Sequence, residues 1–287
     1  MAEKFYVATS PHIKKNISVT KVMWLVIVAL LPAYIHTVFL FGMTTVWVSL
    51  AAVGGALVSE ALMQLLFKKK ITLYDGSAFL TGLLVAFNVP PTIALWKVAL
   101  GSAFAIIVAK QLFGGLGYNI FNPALAGRAF LMASYPADMT SGWSAPANGF
   151  LSLNPAASQA ATDPAVVKFL DSVTSATPLN ALKTARAALN DPGLEDQARH
   201  VIGELFSGES VINAFLGKVG GCLGETTALF LLIGGLFLLV AKLADWRVPA
   251  GYLGTVALLT WAFGGIDGLF TGEPLFHLFT GGLMLGA

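Results

Sequence analysis

The chain has 287 residues, 56% of them hydrophobic and only 11% charged, with a mean hydropathy of +0.76. A soluble domain of this size needs no such apolar excess, so the composition defines an integral membrane protein in direct contact with the lipid bilayer. A formal charge of +2, segregated along the chain rather than gathered on one face, leaves no electrostatic footprint for nucleic acid. The single cysteine, Cys222, excludes an internal disulfide, a multi-cysteine zinc site and an iron–sulfur cluster held by this chain alone.

Residues 1–21 are expected to form a cytoplasmic N-terminal segment carrying Lys4, Lys14, Lys15 and Lys21. Val22 to Phe41 and Thr44 to Phe67 are each long enough to cross the hydrocarbon core with only Glu60 charged, which predicts a helical hairpin. The first run is too long, and too far behind its lysines, for a cleaved signal peptide. Lys68-Lys69-Lys70 closes the hairpin, so both of its ends belong in the cytoplasm. Gly76 to Val89, between Asp75 and Pro90-Pro91, has about 14 residues and is short for a full crossing. It reads as a half-helix or as a tilted, interrupted one.

Ile93 to Phe113 spans comfortably, and Gly114-Gly115-Leu116-Gly117 then breaks the chain. Asn122-Pro123 opens a short apolar stretch to Tyr135 with the residue types of a helix start, Asn at N-cap and Pro at N1. These runs make residues 22–135 a first transmembrane bundle. Five crossings from a cytoplasmic N-terminus place 136–225, richer in acidic than in basic residues, as one long exoplasmic loop. Thr226 to Leu243 returns to Lys242 and Arg247, Val248 to Phe263 goes out again, and Leu275 begins an eighth apolar segment, so 226–287 is a second bundle. An apolar stretch that stops at Ala287 without a basic anchor leads to the expectation that the native chain continues or that a partner covers the end. Phe79-Leu80-Thr81-Gly82-Leu83-Leu84 recurs loosely as Leu278-Phe279-Thr280-Gly281-Gly282-Leu283. This is either a duplicated pair of interrupted helices or the chance similarity of small-residue packing motifs.

No Gly-x-Ser-x-Gly elbow, Walker loop or His-Glu-x-x-His occurs, and His12, His36, His200 and His277 are scattered. No catalytic residue and no metal ligand is assigned. Glu60, Lys110 and Arg128 lie in or beside apolar spans, where an ionisable group is costly and a functional candidate by default. The plain alternative for Lys110 and Arg128 is snorkelling to the two interfaces. Gly220-Gly221-Cys222-Leu223-Gly224-Glu225-Thr226 is a glycine-rich approach to a helix, either a cap or a cradle for a ligand. In the polar segment, Thr177 precedes Pro178 in Asp171-Ser172-Val173-Thr174-Ser175-Ala176-Thr177-Pro178-Leu179. The proline biases Thr177 to an extended backbone, so its hydroxyl is expected to project from a loop, as an ordinary turn residue or as an attachment point.

Taken together these pieces resemble the D subunit of the Rnf electron-transport complex and, more distantly, the B subunit of the sodium-pumping NADH:quinone reductase. The resemblance covers nearly the whole chain and rests on Ser10-Pro11-His12, Leu80-Thr81-Gly82-Leu83-Leu84 with Pro90-Pro91, Lys110 to Gly117 running into Phe121-Asn122-Pro123-Ala124, Asp171 to Leu179 with Lys183-Thr184, and His277 to Ala287. It implies an all-α polytopic membrane protein, part of an inverted-repeat bundle of about ten helices, of which about eight apolar segments are visible. It also implies that a flavin transferase joins FMN to Thr177 by a phosphoester within a Ser/Thr-x-Ala-Thr motif. Thr174, Ser175, Asn122, Arg128, Glu225 and Thr226 are the further candidates for flavin contacts, and a second, non-covalent flavin, riboflavin, is implied among the helices.

The implied role is that of an electron-transfer component in a redox-driven ion translocase. It couples ferredoxin:NAD oxidoreduction to sodium or proton movement in the bacterial or archaeal cytoplasmic (inner) membrane. The implied partners are the other proteins of the complex, including the FMN-bearing G subunit. The short segment before the first helix favours the Rnf family over the quinone reductase. A channel or transporter without flavin would use the broken helices but would leave Thr177 without a role.

Overall fold

The computed structural model describes residues 18–141, 177–191, 193–226, 228–265 and 268–286, and all regular structure among them is helical. Helix α1 (Val19–Phe41) starts at Ser18, whose hydroxyl accepts the Lys21 N–H at 3.2 Å. Gly42, at φ 69°, turns it directly into α2 (Met43–Leu66), a backbone angle that favours glycine. The hairpin is built inside out relative to a soluble protein. On α2 the interior face carries Val48, Ser49, Ala52, Ala56, Ser59 and Glu60, whereas Trp47, Leu50, Val58, Leu62 and Leu65 are exposed. On α1 the exposed stripe is Trp24, Val28, Leu31 and Ile35, a helical spacing. Large apolar groups outward with small and polar groups inward is the pattern of a helix whose solvent is lipid. Both helices are long and apolar enough to cross a membrane.

Helix α3 (Ser77–Phe87) has 11 residues, which reach only about 16 Å at 1.5 Å per residue. The short helix expected between Asp75 and Pro90 is thus present. The run expected to span from Ile93 to Phe113 is helical from Leu95 to Gln111 but not uniform: α4 (Leu95–Ile106) passes into a π-helical turn, Ile107–Gln111. The extra residue in that turn rotates Lys110 and Gln111 into the interior, where both are buried. Helix α5 (Pro123–Ser134) begins as expected, with Asn122 Oδ1 accepting the Ala124 N–H at 3.0 Å and Pro123 in the first turn. Helix α6 (Pro136–Ser141) follows. Backbones in this bundle approach closely through glycine: a Cβ at Gly82 would stand 2.6 Å from Val53 Cα, and one at Gly55 2.7 Å from the Ala99 carbonyl oxygen.

Within the segment read as one long loop, 136–225, the described part forms four helices: α6 at its start and, from Pro178 on, α7 (Pro178–Ala188), α8 (Glu195–Leu205) and α9 (Gly208–Leu216). The physical reason lies in the sequence: Ala198, Val201, Ile202 and Leu205 recur at helical spacing and bury one face of α8 against Ala181, Leu182 and Ala185 of α7. Beyond them lie α10 (Ala228–Val240), α11 (Arg247–Phe263), α12 (Pro274–Phe279) and α13 (Leu283–Gly286). Phe276 of α12 is fully buried in the α7–α8 core, with its ring 5.3 Å from that of Phe206. The Arg186 guanidinium of α7 donates to the Gly264 carbonyl at the end of α11.

The eighth apolar stretch is not one helix. Thr280 is extended and Gly281 sits at φ 74°, which ends α12 after six residues. Thr81-Gly82 lies inside α3 whereas Thr280-Gly281 lies in this break, so the two similar hexapeptides adopt different backbones.

Candidate functional site

Two polar clusters occupy the two ends of α3. At its N-terminal end the Glu60 carboxylate of α2 accepts from Lys110 Nζ at 2.6 Å and from Gln111 Nε2 and Gln64 Nε2, each at 3.1 Å. Lys110 Nζ also donates to Ser77 Oγ at 2.7 Å, and Ser77 donates to Asp75 Oδ1 at 2.6 Å. Gln64 closes the far side by bonding Thr72 through both ends of its amide, at 2.9 Å each. The Glu60 and Lys110 side chains are 2% exposed, so Lys110 does not snorkel; the π turn brings it to a buried counter-charge instead. Beside this network lies a cavity of about 280 Å³ lined by Ser77, Thr81, Lys110, Asn119 and Asn122 among others.

At the C-terminal end of α3, Asn88 donates to the Leu84 carbonyl at 2.8 Å and accepts from Arg128 Nη1 at 2.9 Å. Arg128 on α5 therefore turns toward the protein instead of snorkelling. The glycine-rich segment before α10 docks on the same end: Gly224 N–H donates to the Phe87 carbonyl at 2.8 Å and Leu223 N–H to the Val89 carbonyl at 3.2 Å. Thr37 of α1 clamps it by donating to the Leu223 carbonyl at 3.0 Å. Within the segment Glu225 Oε2 accepts the Cys222 N–H at 3.1 Å. Burial pushes the Glu225 carboxyl above its ordinary range, while the Cys222 N–H and the Arg128 charge draw it back. Burial, chiefly, also raises the Cys222 thiol, which is fully buried.

Thr177 has the extended backbone that the following proline imposes (φ −68°, ψ 156°), but its hydroxyl does not project from a loop. With Pro178 at the first helical position, Thr177 becomes the N-cap of α7, accepts the Asn180 N–H at 3.4 Å and is only 5% exposed. Leu179, two residues on, meets Gly281: a Cβ there would stand 2.8 Å from Leu179 Cδ1 and 3.6 Å from Glu225 Oε1. The structure thus groups the start of α7 with Glu225 and, through it, Arg128. Asn122 belongs to the other end of α3. Thr226 is buried, with its hydroxyl turned to the Leu223 carbonyl as a local cap. Thr174 and Ser175 lie outside the described residues.

Sequence reasoning missed Asn88, Ser77 and Gly281. A polar Asn88 at the end of an apolar run, just before Pro90-Pro91, was the available signal for the first. His36 packs its ring 4.4 Å from that of Phe230.

Long apolar helices with lipid-type exposure, a short α3 and the buried Glu60–Lys110 ion pair mark the described residues as part of an all-helical membrane protein. The family model described as "NQR2, RnfD, RnfE family" matches residues 6–287, and the chain belongs to that family. It is 41% identical over 285 residues, 99% of this chain and 76% of the relative, to the D subunit of the proton-translocating ferredoxin:NAD(+) oxidoreductase complex of Clostridium ljungdahlii. It is 39% identical over 283 residues (98% and 74%) to the D subunit of the Na(+)-translocating ferredoxin:NAD(+) oxidoreductase complex of Acetobacterium woodii. It is 36% identical over 277 residues (94% and 74%) to the D subunit of the ion-translocating oxidoreductase complex of Stutzerimonas stutzeri. All three are D subunits, in agreement with the reading that placed the Rnf D subunit ahead of the quinone-reductase B subunit.

Proposed function

We propose that this chain is the D-type membrane subunit of an ion-translocating ferredoxin:NAD oxidoreductase and that it carries FMN on Thr177 through a phosphoester. Kinship with D subunits along 94–99% of the chain is the observation that carries the first part. The second part draws on the Thr174-Ser175-Ala176-Thr177 resemblance and on the position of Thr177 as N-cap of an 11-residue helix. A phosphoryl group on that hydroxyl would lie over the free N–H groups and the positive dipole end of α7. Bound FMN supplies one- or two-electron exchange, and the chain supplies its attachment and position. Because Thr177 is 5% exposed, attachment requires that its cover open or form afterwards.

The transported cation is a proton or sodium, since the relatives named above are described with one or the other. The partners are the remaining membrane and peripheral proteins of the complex, including its FMN-bearing G subunit, with a flavin transferase acting during maturation. Both ends of the α1–α2 hairpin lie on the cytoplasmic side of the bacterial or archaeal inner membrane, and Thr177 lies on the exoplasmic side. A non-covalent riboflavin is a further expected ligand.

Denaturing electrophoresis with in-gel flavin fluorescence tests the attachment. The chain made with a flavin transferase should fluoresce, and the chain made without it should not. Thr177→Val should abolish the band while membrane insertion persists; a fluorescent Thr177→Val band would place the attachment elsewhere.

A further inference from the structure

Beyond Leu66, the last residue of α2, the Lys69 N–H bonds the Gln64 carbonyl at 2.8 Å and the Lys68 N–H bonds the Leu65 carbonyl at 3.0 Å. This pair of bonds is a Schellman closure, whose left-handed position is usually held by glycine. Here Lys68 holds it, at φ 53°, where a side chain crowds its own backbone. Lysine at this position therefore carries a strain that glycine would not. Lys69 braces the turn by donating from Nζ to the Gly114 carbonyl at 3.2 Å, and it stands 5.5 Å from the centre of the Phe67 ring. Lys68 and Lys70 remain exposed, and among the described residues neither is paired with an acidic side chain. The next acid along the chain, Asp75, is committed to the Ser77 N–H and hydroxyl. Leu62, Leu65, Leu66 and Phe67, which lead into the lysines, are exposed, and so are Leu112 and Phe113, which lead to Gly114. Helix α10 closes with the same two bonds, Leu243 N–H to the Leu238 carbonyl and Lys242 N–H to the Leu239 carbonyl, each at 3.0 Å, with Lys242 at φ 55°. There a single lysine is followed by Asp245 and then Arg247, so the backbone device recurs without the run of positive charge.

We propose that this end of α2 is a docking site for one anionic phospholipid, its headgroup phosphate held by Lys68 and Lys70 and its acyl chains lying along the exposed leucines. Charge complementarity selects the headgroup, since lysines just beyond a spanning helix attract anionic lipid. The leucines select a lipid over other anions: they lie on the outward face of a helix whose solvent is hydrocarbon, and the lysines follow them at the depth where headgroups begin. A soluble acidic partner would engage the lysines and leave Leu65 and Leu66 uncovered. The site requires α2 to end at a bilayer surface; it depends neither on which side that is nor on the flavin.

The test titrates the full chain, in a neutral detergent, with phosphatidylglycerol and separately with phosphatidylcholine, and counts bound lipids by intact mass spectrometry. The tightest site should prefer phosphatidylglycerol. Lys68→Gly and Lys70→Gln should each weaken that site about fivefold, the effect of one lysine at an anionic surface. Because glycine relieves the left-handed backbone, Lys68→Gly should not lower the unfolding midpoint measured without lipid. Should it do so, Lys70→Gln decides, since it leaves the turn untouched. Lys242→Gly removes the same charge from the same kind of turn on α10, and should leave phosphatidylglycerol binding unchanged. Equal affinity for the two lipids, or unweakened binding in Lys70→Gln, overturns the site. A loss in Lys242→Gly equal to that in Lys68→Gly replaces it with a response to net charge. Displacement of the lipid by an equal concentration of inorganic phosphate overturns the lipid and leaves a site for a free anion.

Discussion

The two ends of α3 solve the problem of charge inside an apolar bundle in opposite ways. At the Ser77 end, Glu60, Lys110, Gln64, Gln111, Ser77 and Thr72 bond to one another, so the network is closed and each charge has its partner. At the Asn88 end, among the described residues, Arg128 bonds Asn88 and Glu225 bonds Cys222, the two charges make no ion pair with each other, and glycine backbone lies close around the carboxyl. A closed network spends its hydrogen bonds on architecture, whereas a more open, half-closed one leaves part of its bonding capacity unspent. An ionisable residue in a membrane span is therefore not a functional group by position alone; its unspent bonding capacity separates the two cases.

The largest expected effect is at the closed end. Lys110→Ala strands the Glu60 carboxylate in the interior, and loss of one member of a buried pair costs about 3–5 kcal/mol. Thermal unfolding in detergent, followed by tryptophan fluorescence, should show it. The double variant Glu60→Gln with Lys110→Met should lose much less than the sum of the single changes; additive losses would show that the two side chains are not coupled.

At the half-closed end Arg128→Ala should cost less, about 1–3 kcal/mol, because it orphans one amide oxygen of Asn88 and leaves Glu225 its Cys222 N–H. A loss equal to that of Lys110→Ala in the same assay would erase the distinction between the ends. The smallest effect is a slope with pH. Burial raises the Glu225 carboxyl above its ordinary value of 4.5, so its ionisation opposes folding. Stability should be greatest below that value and fall as pH rises from it through the raised value of the folded chain. Glu225→Gln should flatten that part of the profile, and an unchanged slope would mean that Glu225 ionises as freely in the folded chain as in the unfolded one.

Much of the membrane part was readable because lipid imposes simple length and polarity rules. The α1–α2 hairpin, the short α3, the Asn122-Pro123 start and the family were all legible, the helix ends to within a few residues. The π turn at Ile107–Gln111 was not, because one extra residue in a helix leaves no mark on an apolar run, and only its burial of Lys110 and Gln111 reveals it. Helices α7 to α9 were hidden for a different reason: their apolar faces are narrow and rich in alanine, so acidic composition dominated the reading of that segment. At the site, Arg128 and Glu225 were named individually. Their meeting around Asn88 and Gly281 depends on chain segments far apart in sequence, which no local pattern encodes.

Phe276 carries a consequence for biogenesis. It completes the interior beneath α7 and α8 from a position near the end of the sequence, so a ribosome delivers it long after Thr177 has emerged. Until then that small helical unit lacks its central aromatic plug. Translation order thus leaves the apolar face between α7 and α8 unfilled for an interval, and the arrival of Phe276 closes it.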